Sequence, residues 1–253
     1  MMEGILQLKN VTKRFGGLKA VDGVSFNLTK GIITSLIGPN GAGKTTIFNL
    51  ISGFIRPDNG SIYYNGTRID NLSPWEIAEL GVGRLFQEVR VFNRLTVLEN
   101  VLLARKRQPG ENPLASLFLR NRSLGFEEKN LEGAKKWIEF VGLKQKANSL
   151  AEDLSYGQQK LLAIARLLAG NSDLLLLDEP TAGVHPVMAK SILKVIRDLV
   201  NEGKTAIVIE HNMRVVADIS DWIYLLNEGK IVTFGKPQEV LDDPVLKEVY
   251  LGV

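Results

Sequence analysis

Apolar and polar residues alternate through Ile5–Phe15 and Ala20–Leu28, as in Ile-Leu-Gln-Leu-Lys and Val-Ser-Phe-Asn-Leu, with Phe15-Gly16-Gly17 between them. A period of two marks half-buried strands, so this stretch predicts an antiparallel hairpin. The pattern then changes to mainly apolar, non-alternating runs at Gly31–Ile37, Leu174–Leu177 and Thr205–Ile209. Such runs suit strands covered on both faces, as in a parallel sheet. Arg56–Gly60 is rich in breakers, Ser61–Tyr64 reads as a short strand and Asn65-Gly66 as its turn. Ser73-Pro-Trp-Glu76 is a helix start, with Ser73 as N-cap, Pro74 in the first turn and Glu76 three residues after the cap. Gly83–Gln87 resembles a strand that stops at a polar residue. From there to about Ser155 the period becomes helical, as in Glu132–Val141. The expected class is α/β: a mostly parallel sheet, an N-terminal antiparallel β subdomain and a helical subdomain inserted at about 88–158 of a single domain 1–253.

A chain of 253 residues, 45% hydrophobic, can bury a sizeable core. No apolar run approaches the roughly 20 residues of a membrane helix, and the start lacks a basic segment leading into an apolar one, so a cytoplasmic location is expected. Without cysteine, and with only His185 and His211 as imidazoles, a structural metal is not expected. A net charge of +3 does not call for nucleic acid. Between Ala104 and Lys136, however, eight Lys or Arg face four Asp or Glu. That arm is either a solvated helical face or a contact for a partner or an anionic membrane. The apolar strip Leu114–Leu119, after Pro109–Pro113, suits docking or inward packing equally.

Gly38-Pro39-Asn40-Gly41-Ala42-Gly43-Lys44-Thr45-Thr46 spells GxxxxGK[ST] between a predicted strand and a predicted helix over Thr45–Ile51. Glycines let backbone N–H groups converge on an anion, and the helix N-terminus adds its positive dipole end. In this P-loop, Lys44 is expected as an exposed charge reaching the β- and γ-phosphates of a nucleotide, and the Thr45 hydroxyl as a ligand of Mg²⁺. Asp178 and Glu179 end the Leu174–Leu177 run, and an aspartate at a strand tip beside a phosphate loop is a second anchor for Mg²⁺. The neighbouring Glu179 can polarise an attacking water. His211 ends the Thr205–Ile209 segment, at the sheet edge where α/β proteins bind ligands. Ser155 and Gln158 have capping-box spacing ahead of Leu161–Ala169, an ordinary helix start. Gly157 between them also leaves the helix N-terminus bare enough for a second anion site, and both readings stand. Phe15 is either a face for a purine ring or a core aromatic.

The P-loop, Gln87, Leu-Ser-Tyr-Gly-Gln-Gln159, Leu-Leu-Leu-Leu-Asp-Glu-Pro180 and His211 occur in the order and spacing of ATP-binding-cassette ATPases, which the whole chain resembles. The resemblance implies a P-loop NTPase core. It puts Phe15 under adenine, Gln87 in the loop that senses Mg²⁺ and the partner, and His211 on the γ-phosphate. Glu179 takes the catalytic place, while Ser155, Gly157 and Gln158 close over ATP held by a second ATP-binding subunit, head to tail. Within the superfamily, Phe-Gly-Gly-Leu-Lys-Ala-Val21, Leu-Ser-Tyr-Gly-Gln-Gln159, Ile-Glu-His-Asn-Met213 and the ending Pro244–Gly252 resemble the larger ATP-binding subunits of branched-chain amino-acid importers. This implies permease subunits as partners, a substrate-binding protein indirectly, and a peripheral place on the cytoplasmic membrane face. Related urea and lipopolysaccharide cassettes share much of the wording. Tyr156 replaces the middle glycine of the commonest signature, and His185 stands where aspartate or asparagine is usual. A soluble cassette of DNA repair or translation is the rival, but Gly43–Ser155 shows no sustained heptads of the coiled coil that repair enzymes carry.

Overall fold

A computed structural model of the chain describes residues 4–105 and 120–251. The strip Leu114–Leu119 and its preceding loop lie outside them. The chain forms two compact units, one made of residues up to Gln87, Asp173–Pro180 and those from Ile196 on, the other of Glu88–Ser172 and Thr181–Val195.

In the first unit, β1 (Gly4–Phe15) and β2 (Leu18–Thr29) form the expected hairpin around Gly16-Gly17, Leu8 facing Phe26 and Phe15 facing Leu18. β4 (Asn59–Tyr64) pairs with β1, and β5 (Thr67–Arg68) with β4, giving an antiparallel sheet in the order β2-β1-β4-β5. The period of two is realised as burial: Leu6, Leu8, Phe26 and Leu28 point into a core shared with Phe48, Leu174 and Ile207.

The second sheet runs β10 (Lys230–Gly235), β9 (Trp222–Asn227), β3 (Ile33–Ile37), β8 (Thr205–Ile209), β7 (Leu174–Asp178), β6 (Val82–Leu85). Its pairs from β9 to β6 are parallel, and β10 is an antiparallel edge. Every residue of β3, β7 and β8 is buried, which is why their sequences do not alternate. β6 stops at Leu85, so Gln87 lies on the loop beyond it rather than closing the strand. α1 (Lys44–Ile51) follows the P-loop, and α2 (Pro74–Leu80) starts as expected, with Ser73 N–H donating to Glu76 Oε2 at 2.8 Å. Toward the C-terminus, α7 (Met213–Ile219), α8 (Pro237–Leu241) and α9 (Pro244–Leu251) bring Val216, Val240 and Leu246 against Ile37, Ile223 and Leu225.

In the second unit α3 (Val97–Leu103), α4 (Arg120–Phe140) and α5 (Tyr156–Ala169) pack on one another. Thr96 caps α3 in a box with Glu99. Fully buried Asn100 satisfies the loop before it: its Nδ2 donates to the carbonyls of Phe92, Leu95 and Thr96, and its Oδ1 accepts from Phe92 N–H at 2.9 Å. α6 (Pro186–Asn201) starts in this unit and ends in the other.

The turn out of β3 is a tight point of the second sheet. Gly38 has φ of 147°, and a Cβ there would stand 2.1 Å from the Leu226 carbonyl oxygen on β9. Backbone cannot yield as a flexible side chain does. Gly38→Ala should therefore cost about 1–3 kcal/mol or more in urea unfolding. Wild-type stability would mean that the β3 turn moves freely away from β9.

Candidate active site

β3, β7 and β8 are parallel neighbours, so their C-terminal ends reach one edge. The P-loop leaves β3, Asp178 is the last residue of β7, and Glu210 and His211 follow β8.

The loop turns back on itself through Ala42 N–H to the Pro39 carbonyl at 3.2 Å. It is held to β9 and β10 by Gly229 N–H to the Ala42 carbonyl at 3.0 Å. α1 starts at Gly43, a residue with no side chain to cap it. Its first-turn N–H groups are thus aligned without a side-chain acceptor from the cap, as an anion site requires. Thr45, Asn40 and Gly41 are exposed, Pro39 and Thr46 half-buried, and Ala42 buried.

Lys44 departs from expectation. It is 6% exposed, and its Nζ donates to the carbonyls of Gly38 at 2.8 Å and Pro39 at 2.9 Å. The ammonium folds back because the loop carbonyls are the acceptors its short reach finds inside the curl. Burial pulls its pKa down, and the carboxylates of Glu179 and Asp178 push it back up.

Glu179 collects two other predicted residues, Gln87 and His211. Its backbone is left-handed, with φ of 48°, and its N–H donates to the Ile209 carbonyl at 3.0 Å, which fixes the residue just past β7. Gln87 Nε2 donates to Glu179 Oε2 at 3.0 Å. His211 Nε2 lies 3.0 Å from Oε1, a contact that is a hydrogen bond when Nε2 carries the proton. A left-handed glutamate is uncommon and costs of order 1 kcal/mol or more, so its position is imposed by its surroundings.

Asp178 is buried beside Arg84, whose Nη2 stands 3.4 Å from Oδ2. Burial pushes the Asp178 carboxyl up, Arg84 pulls it down, and Glu179 pushes it up again. Sequence reading passed over Arg84, Asn49 and Tyr250. Tyr250 on α9 accepts a hydrogen bond from Gly38 N–H at 2.9 Å, and burial pushes its phenol up. An arginine inside a predicted strand was the available signal for the first. A tyrosine more than 200 residues from the loop it touches gave none.

Phe15 lies at the hairpin turn, half exposed, with Lys13 Nζ 5.7 Å from its ring centre. A ring presented in this way is available for stacking, and a core aromatic it is not.

Ser155, Gly157 and Gln158 belong to the second unit. The capping box is formed, Ser155 N–H donating to Gln158 Oε1 at 3.0 Å and Ser155 Oγ accepting from Gln158 N–H at 3.4 Å. The need for glycine at 157 has a packing cause besides openness to an anion: Gly157 is buried, and a Cβ there would come within 2.2 Å of Met188 Cγ. Ser155, Tyr156 and Gly157 line a depression of about 310 Å³ with Gly183, His185 and Met188. His185 precedes α6, and its Nδ1 accepts from Val187 N–H at 3.4 Å. Lys160 lies beneath, 1% exposed, donating to the Ala182 carbonyl at 2.8 Å.

Comparison with known proteins agrees with the motifs. The model of the ABC transporter family matches residues 21–182. The high-affinity branched-chain amino acid transport ATP-binding protein LivG of Salmonella typhimurium is 40% identical over 253 residues, all of this chain and 99% of that one. A crystal structure of the ADP conformation of an ATP-binding cassette of an ABC transporter superposes with a TM-score of 0.85 at 38% identity, covering 99% of each chain. A dimeric bacterial ABC transporter cassette superposes with a TM-score of 0.74 at 29% identity, covering 92% of this chain and 98% of that one. Loop, strand tips and full-length similarity agree: the chain belongs to the ABC transporter family, as one of its ATP-binding cassettes.

Proposed function

We propose that the chain hydrolyses ATP to ADP and phosphate to drive a membrane importer of branched-chain amino acids. The observation that carries this reading is Glu179, held left-handed past a buried strand between Gln87 and His211. The substrate class rests on the full-length likeness to a branched-chain amino acid transport protein.

Phosphates enter the loop by taking Lys44 Nζ from the Gly38 and Pro39 carbonyls, a favourable exchange because bonds between two charged partners are the stronger ones. The γ-phosphate also draws His211 Nε2–H from Glu179. The released carboxylate takes a proton from the water that attacks phosphorus, while the γ-phosphoryl leaves ADP. Adenine stacks on the exposed ring of Phe15.

Thr45, Gln87 and Asp178 would hold Mg²⁺. All three supply oxygen, the donor this ion selects, and among the described residues no group of three or more His, Cys, Asp or Glu is clustered to hold a metal. That donor set fits an ion bound by one carboxylate and phosphates rather than by a protein cage. When bound, it neutralises charge developing on the phosphates.

Residues 1–253 then act as one cassette domain with a helical subdomain inserted at about 88–158. Ser155, Gly157 and Gln158 close, head to tail, over ATP held by a second ATP-binding subunit. The depression beside them, at the lower end of ligand-site size, suits a phosphate group rather than a whole nucleotide. The permease subunits contact the basic arm, a substrate-binding protein acts through them, and the cassette lies on the cytoplasmic membrane face. Among the described residues no helix is long and apolar enough to cross a membrane.

Glu179→Gln should lower ATP turnover roughly 10²–10⁴-fold, the usual share of a general base, while nucleotide still binds. The same variant should run as a dimer in MgATP and as a monomer in ADP when followed by light scattering. Turnover at the wild-type rate would remove Glu179 from its role, and a monomer at saturating MgATP would remove the head-to-tail sandwich.

Lys44→Ala should abolish measurable MgATP binding in calorimetry. Because Lys44 also ties two loop carbonyls, the variant should lose about 1.5–3 kcal/mol of stability or more, the worth of a hydrogen bond to a charged group. Undiminished ATP affinity in the folded variant would refute the assignment.

A further inference from the structure

Arg84 lies on β6, and its side chain is only 6% exposed. Besides Asp178, its guanidinium binds the P-loop helix: Nη1 donates to Asn49 Oδ1 at 2.6 Å and to Ser52 Oγ at 3.0 Å. Three aromatic rings enclose it, with centres at 4.7 Å for Phe86, 5.7 Å for Phe48 and 5.8 Å for Phe54. Phe54 and Phe86 meet edge to face at 5.6 Å, so the enclosure is itself packed. Unlike most arginines, this one has little rotamer freedom to lose.

Its position relative to α1 adds a second constraint. α1 has no basic residue in its last turn, and Ser52 is its C-cap. The guanidinium therefore supplies the cation that a helix C-terminus favours. One planar group thus grips the rear of the helix whose front is the phosphate loop, and the carboxylate at the tip of β7. Lysine could not do the same, since it lacks the fixed fork and stacks less well on rings.

We infer that Arg84 is a positioning residue of the divalent-cation site, fixing Asp178 relative to the phosphate loop through Asn49 and Ser52. The inference rests on the reading of Asp178 as a holder of Mg²⁺. Arg84 touches neither nucleotide nor ion; it acts by denying Asp178 other orientations. A carboxylate free to turn would have to be ordered again each time the ion binds.

Mn²⁺, bound in the presence of saturating ADP and followed by the electron paramagnetic resonance of the free ion, provides the test. Arg84→Met keeps an apolar stem for the aromatic rings and should weaken Mn²⁺ binding about 10- to 100-fold, the usual effect of losing the partner of a metal ligand. Arg84→Lys should fall between it and wild type. ADP affinity measured in chelator should stay within about twofold in both, since neither removes a donor of the loop.

Asp178→Asn separates the two claims. Unchanged Mn²⁺ binding in Asp178→Asn overturns the cation reading and this inference with it. If Asp178→Asn weakens Mn²⁺ binding while Arg84→Met and Arg84→Lys bind it as wild type does, the positioning role alone is overturned. A fall in melting temperature in the Arg84 variants with no change in Mn²⁺ affinity has the same meaning: a structural ion pair only. Should Arg84→Met not fold, Arg84→Lys decides by the same titration.

Discussion

β3, β7 and β8 are buried at every position, yet each ends in, or leads within seven residues to, a buried group that carries charge. Lys44, Asp178 and Glu210 are 6%, 5% and 4% exposed. An ion stripped of water at such a place costs several kcal/mol unless partners replace the water. Here the replacements are specific: two loop carbonyls for Lys44, Arg84 for Asp178 and the His211 N–H, at 3.3 Å, for Glu210. The pKa directions express the same dependence. Lys44 is lowered by burial and raised by the two carboxylates, and Asp178 is raised by burial and lowered chiefly by Arg84. The charges stand as a set. Removing one member of the buried Arg84–Asp178 pair costs about 3–5 kcal/mol, much more than an exposed pair contributes.

What the sequence made legible follows from range. The hairpin, the three buried strands, the caps at Ser73 and Ser155 and the P-loop are written in patterns of a few residues, and all are formed. The family resemblance rested on motifs of the same kind, and the comparisons bear it out. Errors arose where burial decides. Lys44 read as exposed because its type usually is, and nothing local announces that the loop carbonyls curl around it. β6 reads one or two residues too long because Phe86 is apolar, though its ring packs on Arg84 and Phe54 instead of extending the ladder. At Gly157 burial adds a constraint without removing the anion reading: a Cβ there would come within 2.2 Å of Met188 Cγ, 31 residues away. Tyr250 gave no signal, and that of Arg84 was only its place in a strand, for the same reason: their meaning lies in contacts with Gly38 and Asp178, far along the chain.

The chain's own path gives Glu179 a further significance. It passes from the first unit to the second directly after Gln87, and again directly after Pro180. Gln87 and Glu179 therefore each sit at or next to a crossing, and they are bonded to one another at 3.0 Å. His211, on the other oxygen of Glu179, is carried by the loop after β8, whose Ile209 carbonyl accepts from the Glu179 N–H. Under the proposed mechanism, a γ-phosphate that draws His211 away leaves Glu179 held by Gln87 and its own backbone, and product release restores the third tie. Each step of hydrolysis then changes the bonding of Glu179 beside the second crossing, while Gln87 at the first keeps its bond to it. A general base placed in the middle of a unit could run the same chemistry, but its bonds would alter nothing at the segments that join the two units. Under the proposed mechanism, the placement of this carboxylate beside a crossing, rather than its acidity, links nucleotide state to the chain connection there.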